Sequence, residues 1–536
     1  MKATLRNALT KVFRHNALVC SALVCAALAI PGVAGEPDGA KNSDPSNFYP
    51  THKKTDRYSY FKKLPKFDVH TPLETNEMRI SFMGTVVPPF GRALRMMSIY
   101  VEVGWELDTY ANANPNYPTN TPPAYQPKDT VMFDCGPGTL GNYISMNAQF
   151  HRMNKLFISH LHGDHMGELP AIYGLIASGR MKPLFVFGQS QSGLTNPGNN
   201  PVVIGNPPRY SSTPTNYNDG VTEFCRLFRE ANRWQTEAFA FQASSYRSYV
   251  PPTKESWGLP HDPVPVGDDP TNDAFALIPI ELPYDTEGIA YSNATTGVTI
   301  THYPVVHCRR GSMGYKLQWT PPGASKPMTM IYSSDTKPEW NSIIQAANGG
   351  DPVDVFIHEM AVPPEVWAMK MQGLKDPDQV SSNALAYTET VQDSSHTCQA
   401  AFGYLLSQIK QRASGKLPRL TVATHFPTAD DTVACALESV QAYIPEIKKN
   451  GDLLTWSYDC MVLRVFPDRI LQVRATVSDY TYYPTPSYSF YDPLPPKYHD
   501  ATGAGDPFAQ IDTNQVIWST QDGGYNGQPT YDKSGY

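Results

Sequence analysis

Residues 156–165 read Leu-Phe-Ile-Ser-His-Leu-His-Gly-Asp-His, and the interpretation of the whole chain starts from this stretch. The apolar residues at its start predict a buried strand over Leu156–Ser159. His160 and His162 are two residues apart, so at the end of a strand both imidazoles leave the same face. The chain then turns, and Asp164 and His165 can point into the same space.

Three imidazoles and a carboxylate within six residues point to metal chemistry. These groups are, together with thiolate, the ligands that zinc prefers. Two pairs of ligands side by side suit two zinc ions, and manganese or iron would accept the same ligands. A solvated histidine-rich loop is disfavoured because an apolar strand leads directly into the motif. The chain contains no CxxC pair, which disfavours a zinc site built from thiolates alone.

Strand-like and helix-like patterns alternate on both sides of the motif, which indicates an α/β layered domain. The predicted strands are Met78–Met83, Ser98–Val103, Thr130–Phe133, Leu156–Ser159, Val298–Val305, Met328–Ser333, Val353–Ile357 and Leu420–Thr424. The predicted helices are Leu169–Ser178, Val221–Ala231, Thr397–Arg412 and Thr432–Tyr443.

The two ends of the chain have a different composition from this domain. Residues 1–35 carry four basic side chains, then a run from Ala17 to Ile30 that is apolar apart from Ser21, then small residues. This pattern predicts a secretory signal peptide and export to a periplasm or beyond. A membrane span needs about 20 apolar residues, so an uncleaved anchor is the less favoured alternative.

Composition divides the rest of the chain into three parts. We expect an extended leader over 36–75, the main domain over 76–474 with a long insertion at about 189–220, and a Tyr- and Pro-rich extension over 475–536. With 41% hydrophobic and 17% charged residues, the chain is not a disordered polyelectrolyte. The net charge of −7 makes it a poor general partner for nucleic acids. The pairing of the six cysteines beyond residue 35 stays open.

The motif at 159–165 resembles the HxHxDH signature of the metallo-β-lactamase superfamily. Its surroundings resemble the ribonuclease Z and arylsulfatase branch of that superfamily, over residues 78–426. The DCGEGT turn of that branch corresponds to Asp134–Thr139 of this chain, with Pro137 where glutamate is usual. The segments that carry the resemblance are Phe82–Thr85 with Pro88, Arg92 and Ser98; Phe133–Thr139; Val306–His307 with Gly314–Tyr315; Ser333–Thr336; Ile357–Glu359; His396–Thr397 with Gln399–Ala400; and Thr424–Phe426.

This resemblance implies a four-layer αββα sandwich with long loop insertions, and two zinc ions. One zinc would be held by His160, His162 and His307, and the other by Asp164, His165 and His425, with Asp335 bridging both. Asp164 would accept a proton from a water shared by the metals. His396, placed near Glu359, would assist the leaving group or the developing oxyanion. Asp134 and His358 would support the ligands from behind.

The substrate follows less directly from the sequence. Ribonuclease Z binds precursor tRNA through a basic arm, but the insertion here has one basic residue, Arg209, against one acid, Asp219. We therefore expect tRNA to be a poor partner. Arg309 and Arg310, just after His307, could place a cation near the metals, or could be ordinary solvated side chains.

Three functional hypotheses remain. The favoured one is an exported dizinc hydrolase of an anionic ester, a phosphodiester or a sulfate ester, small or oligomeric. The alternatives are a lactone or β-lactam hydrolase and a metal-retaining binding protein without activity. The sequence predicts no membrane span beyond residue 35, and an oligomer is possible.

Overall fold

The structure is a computed structural model that describes residues 64–481 with several gaps. The predicted signal peptide, the leader up to residue 63, the middle of the insertion and the extension beyond residue 481 lie outside the described residues. The gaps are 88–93, 108–124, 147, 149–151, 176–181, 197–214, 240–248, 268, 272, 274, 375–378, 427–429, 449–450 and 478–479.

The described chain folds into alternating strands and helices. The strands are β1 (Lys66–Asp68), β2 (Met78–Gly84), β3 (Ser98–Val103), β4 (Glu106–Leu107), β5 (Tyr125–Gln126), β6 (Asp129–Phe133), β7 (Lys155–Phe157), β8 (Leu184–Gln189), β9 (Thr195–Asn196), β10 (Thr215–Asn216), β11 (Leu277–Leu282), β12 (Gly288–Asn293), β13 (Val298–Pro304), β14 (Met313–Trp319), β15 (Met328–Tyr332), β16 (Val355–Glu359), β17 (Leu420–Thr424), β18 (Leu454–Trp456), β19 (Met461–Val465), β20 (Ile470–Val477) and β21 (Tyr480–Thr481). The α-helices are α1 (Thr139–Ser145), α2 (Gly163–Met166), α3 (Leu169–Leu175), α4 (Val221–Ala231), α5 (Arg233–Phe239), α6 (Trp340–Ala347), α7 (Pro364–Met371), α8 (Ser382–Ser395), α9 (Gln399–Arg412) and α10 (Asp430–Gln441).

Two large sheets organise these elements. The first runs in the order β1-β20-β19-β2-β3-β6-β7-β8-β11, with β21 paired to β20. The second runs in the order β12-β13-β14-β15-β16-β17-β18. Each sheet contains one run of mutually parallel strands: β6, β7, β8 and β11 in the first, and β15 to β18 in the second.

The sheets pack face to face, and helices cover their outer faces. Side chains of β2 show the division, because Met78, Ile80 and Phe82 enter the core between the sheets while Met83 enters the core under the helices of the first sheet. Phe402 of α9 and Ile343 of α6 pack in a third core on the outer face of the second sheet. The predicted four-layer αββα sandwich is therefore confirmed.

Parallel pairing brings several strand ends to one edge of the sandwich. The carboxyl ends of parallel strands lie at the same edge of a sheet, and ligands of α/β proteins bind there. Asp134 follows β6, Asp335 follows β15 after two serines, and His425 follows β17 directly. The edge where these strands end is therefore where a site should form.

Within the described residues, no helix has the length and apolar character to cross a membrane.

A buried carboxyl group, Asp459, ties the loop between β2 and β3 to the rest of the fold. It is fully buried and accepts hydrogen bonds from Thr85 Oγ1 (2.9 Å), the Arg95 amide (2.7 Å) and Asn142 Nδ2 (2.9 Å). Burial raises the pKa of Asp459 to about 8, and these hydrogen bonds oppose the rise only in part. The carboxyl group is therefore favoured in its neutral form below that pH.

This raised pKa predicts a pH dependence of stability. An unfolded aspartate has a pKa of about 3.9, so between about pH 4 and pH 8 the folded protein holds a proton that the unfolded chain has lost. The free energy of unfolding should therefore fall as the pH rises through this window, by at most about 1.4 kcal/mol per pH unit. Asp459→Asn should flatten this slope, since the amide does not titrate and its oxygen can still accept from the Arg95 amide and Asn142 Nδ2.

The measurement is the urea denaturation midpoint at pH 5, 6, 7 and 8 for the original chain and for Asp459→Asn. Asp351→Asn, which removes an exposed carboxylate paired with Lys326, is the matched control and should keep the original slope. An unchanged slope in Asp459→Asn would show that this carboxyl is ionised throughout the window.

Candidate metal centre

The histidines of the motif and His307 form one group of ring nitrogens at the shared edge. His160 Nε2 lies 3.0 Å from His162 Nδ1, and His307 Nε2 lies 3.1 Å from the same His162 atom. His160 and His307 are buried, whereas His162 is exposed. Although the residue keeps exposed surface, loss of water around its ring and the neighbouring imidazoles lower the pKa of His162 to about 4, so the ring is neutral near pH 7 and keeps a lone pair. These are the residues predicted to hold the first metal.

A second group contains Asp164, His165, Asp335 and His425. His165 Nε2 lies 3.2 Å from Asp335 Oδ1 and 3.6 Å from Asp164 Oδ2. His425 Nε2 lies 3.3 Å from Asp164 Oδ2 and 3.4 Å from Asp335 Oδ2. All four ligand atoms lie within 4.8 Å of one another. The structure thus brings together the residues predicted to hold the second metal.

Asp335 lies between the two groups. Besides its contacts with the second group, its Oδ2 is 3.9 Å from His307 Nε2 in the first. Burial alone would raise the pKa of Asp335, but the His425 and His165 imidazoles hold this pKa well below its usual range. A buried carboxylate with one group of ligands on each side has the position that a bridging ligand requires.

The hydrogen bonds at Nδ1 of two histidines leave the Nε2 atoms that face the site available to a metal. His165 Nδ1 lies 2.7 Å from Asp134 Oδ2, and His307 Nδ1 lies 2.9 Å from the Ser395 carbonyl oxygen. Carboxylate and carbonyl oxygens can only accept, so each Nδ1 donates its hydrogen. In a neutral imidazole this leaves Nε2, which faces the site, as a lone pair, the form in which histidine binds metals.

The second group also shows the signs of a site built for a cation. Among the described residues, buried His165 Nε2 and Asp335 Oδ1 lie 3.2 Å apart, yet neither has a well-aligned hydrogen-bond partner. Buried polar atoms are seldom left so. Although burial alone would lower it, the Asp335 carboxylate raises the pKa of His425 to about 9. The group therefore favours positive charge, and divalent metals fit both sets of ligands.

Asp134 supports the ligands from behind. Its Oδ2 accepts hydrogen bonds from His165 Nδ1 (2.7 Å), Ser159 Oγ (2.7 Å) and Tyr332 Oη (2.6 Å), and its Oδ1 accepts one from the Ser159 amide (2.7 Å). Asp134 is fully buried. The predicted orienting role of Asp134 agrees with these contacts, since the carboxylate fixes both the tautomer and the orientation of His165.

The backbone around the site adopts uncommon conformations. Asp134, Ser334 and His425 have φ values of 56°, 58° and 55°, in the left-handed region that non-glycine residues seldom occupy. Each such residue costs on the order of 1 kcal/mol or more, and such residues cluster at functional sites. Gly136 is needed for close packing, because a Cβ at this position would lie only 2.1 Å from the Asp164 carbonyl oxygen. The turn after β6 can therefore contact the metal-binding loop.

Glu359 and His396 form a third group beside the second. His396 Nδ1 lies 2.7 Å from Glu359 Oε2, and the same oxygen lies 3.5 Å from His425 Nδ1. Glu359 Oε1 accepts a hydrogen bond from the Thr336 amide (2.5 Å). The His396 side chain remains 14% exposed, whereas Glu359 is fully buried. The predicted neighbourhood of His396 and Glu359 is thus present, with the imidazole at the surface of the site.

The other predicted residues lie farther from the ligands. His358 is buried between the rings of Phe356 and Phe402, and burial lowers its pKa, so it is a core residue on the helix-covered face of its sheet. Arg309 forms an ion pair with Asp219 of the insertion. Arg310 is partly buried beside it.

Sequence reasoning missed two residues that touch the ligands or their supports. Cys308 Sγ lies 3.6 Å from His307 Nε2 and 2.9 Å from Ser395 Oγ. Although burial alone would raise it, the His307 imidazole lowers the pKa of Cys308 to about 7. Tyr332 donates to Asp134 across the two sheets. The position of both residues in the sequence could have identified them, since Cys308 directly follows a predicted ligand and Tyr332 directly precedes the Ser333–Asp335 turn. Among the described cysteines, Cys135, Cys225, Cys308 and Cys460 are free thiols.

Comparison with known proteins gives local sequence matches. No protein-family model matches the chain. It is 40% identical over 65 residues to ribonuclease Z of Methanococcus maripaludis strain C6, which is 12% of this chain and 21% of that protein. It is 42% identical over 65 residues to ribonuclease BN of Proteus mirabilis, covering 11% and 20%. Ribonuclease Z of Picrophilus torridus is 30% identical over 113 residues, covering 20% and 28%. The chain thus spans only about a fifth to a quarter of the length of these relatives.

Solved structures with a similar arrangement are more distant in sequence. The metallo-β-lactamase fold protein YhfI from Bacillus subtilis is 10% identical, with a TM-score of 0.37 and coverage of 73% of this chain and 100% of that one. The short form of human tRNase Z is 14% identical, with a TM-score of 0.36 and coverage of 73% and 99%. The two facing sheets, the ligand groups at their shared edge and the local matches to ribonuclease Z confirm the resemblance of this chain to the metallo-β-lactamase superfamily.

Proposed function

We propose that this chain is a dinuclear metal hydrolase that cleaves an anionic ester, with a phosphodiester as the preferred class and a sulfate ester as the second. The position of Asp335 carries this proposal, since one buried carboxylate lies within 4 Å of imidazoles from both ligand groups. Such a residue is what two-metal hydrolytic sites require, because it holds the metals close together and offsets part of their charge.

Two zinc ions would be held by the His160 group and by the Asp164 group, with Asp335 shared. When bound, such ions supply Lewis-acid polarisation of the ester and lower the pKa of a water nucleophile towards neutrality. Manganese or iron would suit the same nitrogen and oxygen ligands.

Side chains of the protein would accept and donate the protons of the reaction. Asp164, whose carboxylate lies 3.3 Å from His425 Nε2 and is partly exposed, is placed to accept a proton from the attacking water. Glu359 accepts the hydrogen of His396 Nδ1, which leaves His396 Nε2 outside that hydrogen bond. His396 would donate a proton from Nε2 to the leaving group while Glu359 holds the ring.

The choice of an anionic ester rests on two further observations. The relatives matched in sequence are named ribonucleases, and a ribonuclease cleaves phosphodiester bonds. In addition, Arg309 places a half-exposed guanidinium two residues after His307. Residues 1–35 have the composition of a secretory signal, so we further propose that the protein acts after export, which cell fractionation would test.

The test combines metal content with a substrate panel. Elemental analysis of the purified chain should give two metals per chain. The panel contains bis(p-nitrophenyl) phosphate, p-nitrophenyl sulfate, a lactone, a cephalosporin and a precursor tRNA. We expect turnover of the phosphate diester that chelation abolishes and added zinc restores. Turnover of only the lactone or the cephalosporin would replace the proposal with a carbonyl hydrolase, and two metals with no turnover at all would favour a binding protein.

Replacing His396 with alanine should give a defect that depends on the leaving group. General acid catalysis contributes about 10²–10⁴-fold, and the contribution is largest when the departing oxygen is strongly basic. We therefore expect kcat for an alkyl p-nitrophenyl diester to fall little when p-nitrophenolate leaves, and kcat for a dialkyl ester to fall by about 10²-fold or more. Stopped assays on the two substrates give the comparison.

Two controls separate this role from damage to the metal centre. His396→Ala should retain two metals by elemental analysis, because the proposed ligands are other residues. Glu359→Gln should show the same dependence on the leaving group, since the carboxylate that orients His396 through Nδ1 is lost. An equal loss of kcat for good and poor leaving groups would contradict the assignment of His396 as the proton donor.

A further inference from the structure

The base of the insertion meets the loop that follows His307 through one ion pair. Arg309 Nη2 donates to Asp219 Oδ2, and the Arg309 side chain remains 49% exposed while that of Asp219 is 18% exposed. Ninety positions separate the two residues in the chain. We call Arg309 and Asp219 the rim pair, since they lie next to the ligand His307 in a partly solvated position.

The carboxylate of the rim pair is fixed independently of the arginine. Asp219 Oδ1 accepts a hydrogen bond from the Ser192 amide (2.8 Å), and its Oδ2 accepts one from Ser192 Oγ (2.7 Å). Tyr284 donates to the Ser192 carbonyl oxygen (2.7 Å), which holds that turn in place. Ser192 therefore holds the Asp219 carboxylate in position, and this position does not depend on the ion pair with Arg309.

The guanidinium is also fixed on a second side. The Arg309 guanidinium carbon lies 5.4 Å from the centre of the Tyr217 ring, within the range of a cation–π contact. Two residues later, a Cβ on Gly311 would lie 3.1 Å from the Gln189 side chain, so the arginine loop packs closely against the start of the insertion. The cation nearest in sequence to the ligand His307 is thus held by the insertion and largely compensated by its carboxylate.

We propose that Asp219 is a specificity-determining residue that masks Arg309 and so limits how strongly the site attracts anionic substrates. This inference rests on the proposed hydrolysis of an anionic ester. A substrate carrying negative charge competes with Asp219 for the same guanidinium, whereas a neutral ester does not. The pair would therefore set the preference of the enzyme between charged and neutral esters without taking part in bond cleavage.

The test removes the masking charge and keeps its shape. Asp219→Asn retains an oxygen for the Ser192 amide and a nitrogen that can donate to Ser192 Oγ. With the metal-loaded protein, we expect KM for bis(p-nitrophenyl) phosphate to fall about three- to five-fold, the size of an ordinary exposed ion pair, with kcat unchanged. KM for p-nitrophenyl acetate, a neutral ester with the same leaving group, should not change. Arg309→Gln should raise KM for the phosphate alone, and both effects should shrink at 0.5 M salt.

Glu223→Gln is the matched control. Glu223 lies four residues after Asp219 and pairs with Arg226, so this variant removes one negative charge nearby without unmasking Arg309. A comparable fall in KM for Glu223→Gln, or equal changes for both esters in Asp219→Asn, would overturn the proposal.

Anion binding gives a readout that does not depend on turnover. Calorimetric titration of the metal-loaded proteins with inorganic phosphate should show binding about three- to five-fold tighter in Asp219→Asn. If the original protein hydrolyses neither ester, the proposed function fails while this titration still decides the inference. Unchanged phosphate affinity in Asp219→Asn would refute the role of Asp219 in either case.

Discussion

Asp335→Ala should abolish hydrolysis and leave at most one metal per chain. Asp335 is the buried carboxylate that lies within reach of imidazoles from both ligand groups. Without it the second group loses one of its two carboxylates, and nothing joins the two metals. Because a metal site contributes several kcal/mol to a hydrolytic transition state, kcat/KM should fall by about 10³-fold or more. Elemental analysis and the phosphodiester assay measure the two effects.

Asp335→Asn controls for misfolding, since it keeps the shape and removes the charge. We expect it to retain the far-ultraviolet circular dichroism of the original chain while it loses metal and activity. Asp351→Ala, on the surface, should change neither. An Asp335→Ala protein that still holds two metals and turns over at the original rate would show that the two ligand groups function without a bridge.

Asp134→Asn should weaken the second metal site without touching a ligand. Asp134 Oδ2 accepts from three donors and Oδ1 from one. An amide nitrogen at either position would face a donor and could not accept its hydrogen. His165 then loses the acceptor that fixes its tautomer. Losing such a support costs about 10–100-fold in metal affinity, and an unsatisfied buried donor costs about 1–3 kcal/mol of stability.

Competition with a chromophoric chelator measures the affinity of each site, and thermal unfolding in the chelator measures the stability of the metal-free fold. Tyr332→Phe is the matched control, because it removes one donor to the same oxygen and leaves the His165 hydrogen bond in place. It should have a much smaller effect on metal affinity. Equal affinities in Asp134→Asn and the original chain would mean that the metal alone orients His165.

The sequence was sufficient for the fold class and for the residues that gather at the site. The motif at 159–165 and the family resemblance built around it identified these residues. Most of them stand just after an apolar strand, and parallel pairing brings those strand ends to one edge, whereas His307 follows β13, which is antiparallel to its neighbours. Element ends were less well predicted. The strand predicted to reach Ser159 ends at Phe157, because the Ser159 amide binds the Asp134 side chain and not a neighbouring strand.

Other features left no local signal. The helix predicted from Thr397 begins at Gln399, since Thr397 is tied to Thr336 and Ala361 by its side chain and carbonyl. The sequence of α8, Ser382–Ser395, is mostly small or polar and shows no apolar period, so this helix was not predicted. The ion pair of Arg309 with Asp219 joins distant segments, and only the folded chain shows it.

The ligands are distributed along most of the domain, from His160 in the first sheet to His425 at the end of a strand in the second. Neither ligand group is complete until both sheets have formed and packed together, and an unfolded chain holds no such site. If the chain binds the two metals proposed above, metal loading is therefore a late event in its biogenesis. If the chain leaves the cytoplasm unfolded, it takes its metals from the compartment in which it folds, and the metal supply there determines which ions it carries.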